Sequence, residues 1–326
     1  MRSTSSPSLD LTVVIPVFNE APNLRPLCEN LMKALSPLGR SFEILLIDDG
    51  SSDESLQIYP ELCRKYEPVK VIRLRRNFGQ TAAFSAGFDF ARGRVIVTMD
   101  GDLQNDPADI PALLKRIEDG YDLVSGWRVH RQDKKVTRIL PSRIANWLIS
   151  RLTGVPLHDY GCSLKAYRAE VAKNVDLYGE LHRFIPVLAS MYGATIAEIP
   201  VHHHPRLMGK SKYTLSRAFR VLVDLGTVLF LKWFLDRPQY VFGRWGLILF
   251  SAGVIIDGYL AALKIFWGQD IGTRPLLILG VLLILAGMQI FFTGILAEIQ
   301  VRTYYESQNK PRYHVREILG SNETPH

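Results

Sequence analysis

Short apolar runs, each ending among polar residues, recur through the first hundred positions. LTVVIP ends at Pro16, FEILLID at Asp48, VKVIRLR at Arg75 and RVIVTMD at Asp100, and a stretch with helical spacing follows each of the first three. This order predicts β-α-β-α units, hence an α/β fold with a mostly parallel sheet covered by helices. DLVSGW reads as a fifth strand. Ligands of such sheets bind beyond the carboxyl ends of the strands. Asn19 and Glu20 after the first run, Asp48 and Asp49 after the second, and Asp100 and Asp102 after the fourth therefore fall on one predicted edge.

A different pattern begins near Trp245, because from there to residue 301 the chain is almost free of charge. Trp245–Trp267 and Pro275–Ala297 hold 23 residues each. As helices they would be about 35 Å long at ~1.5 Å per residue, enough for a hydrocarbon layer of ~30 Å. The link GQDIGTR makes them a hairpin, and Arg302, Lys310, Arg312 and Arg316 behind it put the tail, and with it the N-terminal domain, in the cytoplasm. Asp257 and Lys264 interrupt the first span. An intramembrane carboxylate serves function or faces a partner helix. Ahead of the hairpin, Arg217, Arg220, Asp224 and Thr227 form a polar stripe within Ser216–Leu235, the pattern of a helix lying in the membrane interface.

The expected divisions are a disordered tail over 1–10, a catalytic domain over 11–213, a juxtamembrane helix over 214–240, a transmembrane hairpin over 241–301 and a cytoplasmic tail over 302–326. The net charge of +7 is concentrated in Arg128–Arg151 and His202–Arg220. Nothing in the pattern calls for nucleic acid, and basic residues near a membrane surface are attracted to anionic lipid. Cys28, Cys63 and Cys162 are odd in number and far apart, which argues against a disulfide framework and suits a reducing compartment. No G-x-G-x-x-G follows the first strand, which disfavours a dinucleotide oxidoreductase, and Gly209-Lys210-Ser211 has His204 where a P-loop needs glycine.

Asp100-Gly101-Asp102 carries the strongest chemistry, since two carboxylates one residue apart at a strand end can share a divalent cation with a diphosphate. Together with VVIPVFNE, LLIDDGSSD and RNFGQTAAFSAGF, TMDGDLQNDP resembles the family 2 glycosyltransferases of the GT-A, Rossmann-like fold. Within that family the chain resembles the bacterial polyprenyl-phosphate glycosyltransferases, relatives of the dolichol-phosphate mannose synthases, from Leu11 to about Tyr213. RQDKK, DYGCSLKAYR, FIPVLA and EIPVHH are most similar to the undecaprenyl-phosphate 4-deoxy-4-formamido-L-arabinose transferases of lipid A modification.

The resemblance implies a base and ribose pocket at Pro16, Phe18, Glu20 and Asp48, with Asp100 touching the ribose or the metal and Arg76, Asn77 and Gly79 on the nucleotide side. It implies Mg2+ or Mn2+ at Asp102 and Asp100, with Gln104 assisting. Arg128, Arg143 and Arg206, with Ser211 and Lys212, would bind the acceptor phosphate, and Asp159 would orient sugar hydroxyls or arginines. A phosphomonoester is largely dianionic at neutral pH and needs no protein base, so the expected catalytic set is Asp100, Asp102, Arg128 and Asp159. Single displacement implies inversion. The implied partners are a nucleotide sugar, undecaprenyl or another polyprenyl phosphate, the bilayer of the bacterial inner membrane and further copies of the chain in a tetramer. The alternatives are a glucosyl- or mannosyltransferase on the same acceptor and a non-catalytic nucleotide-sugar-binding scaffold. A processive polysaccharide synthase is disfavoured, because Gln239 stands five positions before Arg244-Trp245 rather than three.

Overall fold

The computed structural model describes residues 9–129, 140–175, 177, 181–205, 225–226, 238–272, 274–307 and 315–319. The chain forms two compact units, Met1–Val228 with Pro311–His326, and Leu229–Lys310.

The first unit is built on an eight-stranded mixed sheet. In chain order its strands are β1 (Leu9–Val17), β2 (Phe42–Asp48), β3 (Val69–Leu74), β4 (Gly93–Thr98), β5 (Leu123–Arg128), β6 (Lys165–Arg168), β7 (Ile196–Val201) and β8 (Val315–Leu319). Across the sheet they lie in the order β7-β5-β6-β4-β1-β2-β3-β8. The central run β4-β1-β2-β3 is parallel, as the alternating pattern predicts, whereas β6 enters antiparallel between β4 and β5. Leu9 and Asp10 already belong to β1, so the expected N-terminal tail is shorter at its inner end.

Helix α1 (Ala21–Leu35) shows why the layers adhere. Leu24, Leu27, Cys28, Leu31 and Leu35 recur three and four apart, so one stripe faces the sheet, and each is fully buried. Alternate residues of β1, Val13, Ile15 and Val17, belong to the same core. Burying each such side chain is worth about 1.5–3 kcal/mol, and Leu31→Ala would forfeit about 2–5 kcal/mol. Helices α2 (Ser55–Lys65), α3 (Gln80–Phe90) and α4 (Ile110–Glu118) follow β2, β3 and β4, and α5 (Leu140–Thr153), α6 (Ala169–Asn174) and α7 (Ile185–Met191) are further helices of this unit.

The second unit is a helical hairpin of α8 (Pro238–Trp267) and α9 (Pro275–Ser307). Phe242–Trp267 and Pro275–Ala297 are long and apolar enough to cross a membrane, with mean hydropathies of 1.9 and 2.5. Glycines seven apart make the seam: a Cβ on Gly246 would lie 2.7 Å from the Gly287 carbonyl oxygen, and one on Gly253 2.6 Å from that of Gly280. Small residues let helices approach where no water-driven force acts between them. Asp257 lies on this seam against Gly280, so it faces its own hairpin, and one of its oxygens is buried without a hydrogen-bond partner among the described residues.

After α9 the chain returns to the first unit, where β8 pairs antiparallel with β3 from Val71↔Leu319 to Leu74↔Val315. The expected division 302–326 thus contains a strand of the sheet. Of the expected interfacial helix, only Leu225, Gly226 and the first residues of α8 are described.

Candidate active site

The carboxyl ends of β1, β2 and β4 supply the site, as parallel register requires. Beyond β1, Asn19 turns with φ +56°, its N–H donating to Ser51 Oγ at 2.9 Å while its Oδ1 accepts from Ser52 N–H at 2.8 Å. The loops after β1 and β2 are thereby tied together. Glu20 precedes α1 and accepts a hydrogen bond from Asn23 Nδ2.

Beyond β2, Asp48 and Asp49 take separate duties. Asp48 is 1% exposed, accepts from Ser51 N–H and the Tyr59 hydroxyl at 3.1 Å each, and meets Arg73 at 3.5 Å. Asp48 thereby braces the loop that follows β2. Asp49, to which the sequence assigns no separate role, accepts from the N–H groups of Phe78 and Gly79 at 2.7 and 2.9 Å. Burial pushes the Asp49 carboxyl up and those two N–H groups pull it down, with a net rise. Gly50, with φ +76°, leaves Arg76 backbone 2.6 Å from where a Cβ would sit, so only glycine admits this contact. The Arg76–Gly79 loop is thus docked on the DDGS turn, and the Arg76 guanidinium lies 4.2 Å over the Phe78 ring.

Beyond β4 stands the carboxylate pair. Asp100 accepts from Gln80 Nε2 at 2.8 Å and its N–H donates to Asn105 Oδ1 at 3.2 Å. Asp102 accepts from the Gln104 N–H at 3.2 Å, across a turn in which Leu103 adopts φ +62°. Ser163 Oγ also donates to Asn105 Oδ1, at 2.9 Å. Burial, and then the neighbouring Asp102 carboxylate, hold the Asp100 carboxyl above its ordinary range. Two oxygen-donor groups that repel each other in this way fit a divalent cation, which would relieve the repulsion. Among the described residues no group of three or more His, Cys, Asp or Glu could cage a metal. The pair therefore suits a hard cation that takes its remaining oxygens from a diphosphate and water.

Arg128 ends β5 and forms a two-pronged pair with Asp159, Nε to Oδ2 at 2.7 Å and Nη2 to Oδ1 at 3.0 Å. Burial alone would lower the Arg128 pKa, but Asp159 overrides it and the guanidinium stays charged. Asp159 thus orients an arginine, while Arg128 keeps only part of its fork for a phosphate. Arg143 lies on α5 with its side chain outside the described residues, as Arg206, Ser211 and Lys212 are entirely. His202 and His204 meet Asp109 and Asp106 at 2.8 and 3.0 Å, pinning the segment after β7 to the turn that follows the carboxylate pair.

Gln80, Asn105, Ser163 and Lys165 escape the sequence reading. Gln80 directly follows the singled-out Gly79, and Lys165 is a basic residue inside the apolar strand LKAY, so both leave a signal.

The sequence model of Glycosyl transferase family 2 matches residues 12–176, half of the chain. The chain belongs to glycosyltransferase family 2. It is 48% identical over 98% of its length, and 96% of the other, to a dodecaprenyl-phosphate galacturonate synthase from Rhizobium johnstonii. It is 37% identical, over 95% of its length and 92% of the other, to an undecaprenyl-phosphate 4-deoxy-4-formamido-L-arabinose transferase from Shewanella sediminis. Among solved structures, glucosyl-3-phosphoglycerate synthase from Mycobacterium tuberculosis, in complex with Mn2+, uridine diphosphate and glucosyl-3-phosphoglycerate, aligns with TM-score 0.53 at 16% identity. That alignment covers 69% of this chain and 80% of the other and shows a shared GT-A-like fold. This family 2 member is a glycosyltransferase.

Proposed function

We propose that the protein transfers one sugar from a uridine diphosphate sugar to polyprenyl phosphate at a membrane surface, with inversion at the anomeric carbon. The observation that carries this reading is the near full-length likeness to two polyprenyl-phosphate sugar transferases, which extends through the apolar hairpin as well as the carboxylate-bearing edge. Their sugars, galacturonate and a formamido pentose, support a modified sugar over plain glucose or mannose.

In this reading Asp102 and Asp100 hold Mg2+ or Mn2+, which when bound offsets the charge that develops on the departing diphosphate. Pro16, Phe18, Glu20 and Asp48 line the base and ribose, and the docked Arg76–Gly79 loop flanks the phosphates. Asp159 fixes Arg128 so that the guanidinium hydrogens left over meet phosphate, joined by Arg143, Arg206, Ser211 and Lys212. The acceptor phosphate attacks as its dianion, so the protein supplies alignment and charge rather than a base. Arg302, Lys310, Arg312 and Arg316 support a cytoplasmic face of a bacterial inner membrane for the first unit and the C-terminus. The proposed assembly is a homo-oligomer, a tetramer by family resemblance.

Incubating the purified chain with undecaprenyl phosphate and a panel of nucleotide sugars, with mass spectrometry of the lipid, tests the reading. One sugar per lipid is expected. Lipid unmodified by every donor would overturn it, as would a polymer.

A further inference from the structure

Helix α5 carries apolar residues on two opposite sides. On the inner side Ile149 and Thr153 are buried, while Asn146 Nδ2 donates to the His158 carbonyl at 2.7 Å and Ser150 Oγ to that of Leu157 at 2.9 Å. The outer side carries Trp147, 66% exposed, and one turn further on the exposed Arg151. Spacings of three and four set positions Leu140, Arg143 and Ile144 on that same side. A helix packed on one face with water on the other puts polar residues outward. Here the outward stripe has a tryptophan at its centre, a leucine and an isoleucine ahead of it, two arginines and no acid. That is the pattern of a helix lying in the headgroup layer, where Trp is enriched and each basic residue gains from anionic lipid. The whole stretch Arg128–Arg151 holds seven Lys and Arg residues against one acid, so its charge is complementary to such a surface.

We propose that the outer stripe of α5, centred on Trp147 between Arg143 and Arg151, docks on an anionic lipid surface. The bonds from Asn146 and Ser150 fix α5 to residues 157 and 158, and the next residue, Asp159, holds Arg128 by two prongs. Docking therefore sets the Arg128 guanidinium relative to the bilayer, where in the transfer reading a lipid acceptor presents its phosphate. A second copy of the chain is the poorer complement. A two-fold contact sets the same patch against itself, and these stripes would then bring arginines together with no acid on either side.

The test uses the full chain in nanodiscs of phosphatidylglycerol and phosphatidylethanolamine, with Cys63→Ser and an environment-sensitive fluorophore on Trp147→Cys. Cys28 and Cys162 are buried and escape the label. The control carries the fluorophore on Lys33→Cys, exposed near the end of α1, where the chain returns to the start of β2. Lipid spin-labelled at the headgroup should quench the fluorophore at 147 and spare it at 33, and exchanging phosphatidylglycerol for phosphatidylcholine should weaken the quenching. Arg151→Glu should raise the KM for undecaprenyl phosphate in the same nanodiscs roughly fivefold or more, with kcat and the use of a short, water-soluble prenyl phosphate unchanged. A fluorophore at 147 that lipid does not quench overturns the inference, whether it lies open to water or under a second copy. Equal quenching at 147 and 33, quenching indifferent to lipid charge, or an unaltered KM in Arg151→Glu overturns it as well. The fluorescence needs no turnover, so failure of the transfer reading would leave this result standing.

Discussion

At the scale of single residues, the carboxylate pair stores a repulsion that only a cation or a proton relieves. Asp100 has a raised pKa, in part from Asp102. Its folded value therefore lies above the unfolded one, so its contribution to stability is fully present below the ordinary carboxylate range and is lost as pH rises through the folded value. Asp102→Asn removes one source of the repulsion. Without metal, the variant should melt above the wild type at neutral pH, and the difference should vanish in acid; thermal scans at several pH values in chelator check this. Turnover should move the opposite way, falling roughly a hundredfold or more for loss of several kcal/mol of charge stabilisation. Excess EDTA should act likewise on the wild type, and full activity under either treatment would remove the metal from Asp102. Arg143→Ala should leave nucleotide affinity nearly unchanged by calorimetry while weakening use of lipid phosphate roughly ten- to a hundredfold. A nucleotide-binding defect with normal acceptor kinetics would move Arg143 to the donor side.

At the scale of elements, legibility follows the range of the contacts involved. The strands bearing Pro16, Asp48 and Asp100 are readable because each is a continuous apolar run that breaks at its own polar end. Parallel register then brings those ends together without further information. Gln80 and Ser163 are not readable as site residues, because they reach Asp100 and Asn105 across 20 and 58 positions through tertiary packing. The antiparallel entry of β6 is equally hidden, since its four residues carry no long periodicity. The hairpin is legible from composition, yet its glycine seam is not, because spacing alone does not say which faces meet. That seam makes a prediction of its own. Gly253→Leu must force apart backbones that leave only 2.6 Å for a Cβ, so the helices should separate. A cysteine pair engineered across the seam should cross-link efficiently in the wild-type background and poorly with Gly253→Leu; equal cross-linking would refute the packing.

At the scale of the whole molecule, the chain leaves the first unit, forms the hairpin and comes back to finish the sheet it left. β8 is invisible in the sequence because VREIL is five residues in a basic stretch, and its partner β3 lies more than 200 positions away. Its position nonetheless closes the β3 edge, where Val71, Ile72 and Leu74 would otherwise offer unpaired backbone to another chain. Arg73, paired in register with Glu317, also meets Asp48, the brace of the DDGS turn, so the returning strand backs that turn. A catalytic fragment ending near Thr214 lacks this strand and should aggregate rather than remain a well-behaved soluble domain. Deleting residues 311–326 from the full chain isolates the effect, because the hairpin is kept. At about 0.5–1.5 kcal/mol net per hydrogen bond, loss of this short ladder should cost a few kcal/mol. Hydrogen exchange should then accelerate first in Val71–Leu74. Deleting only 321–326 should change neither, and a 311–326 deletion with unaltered exchange in β3 would show that the strand contributes nothing to the fold.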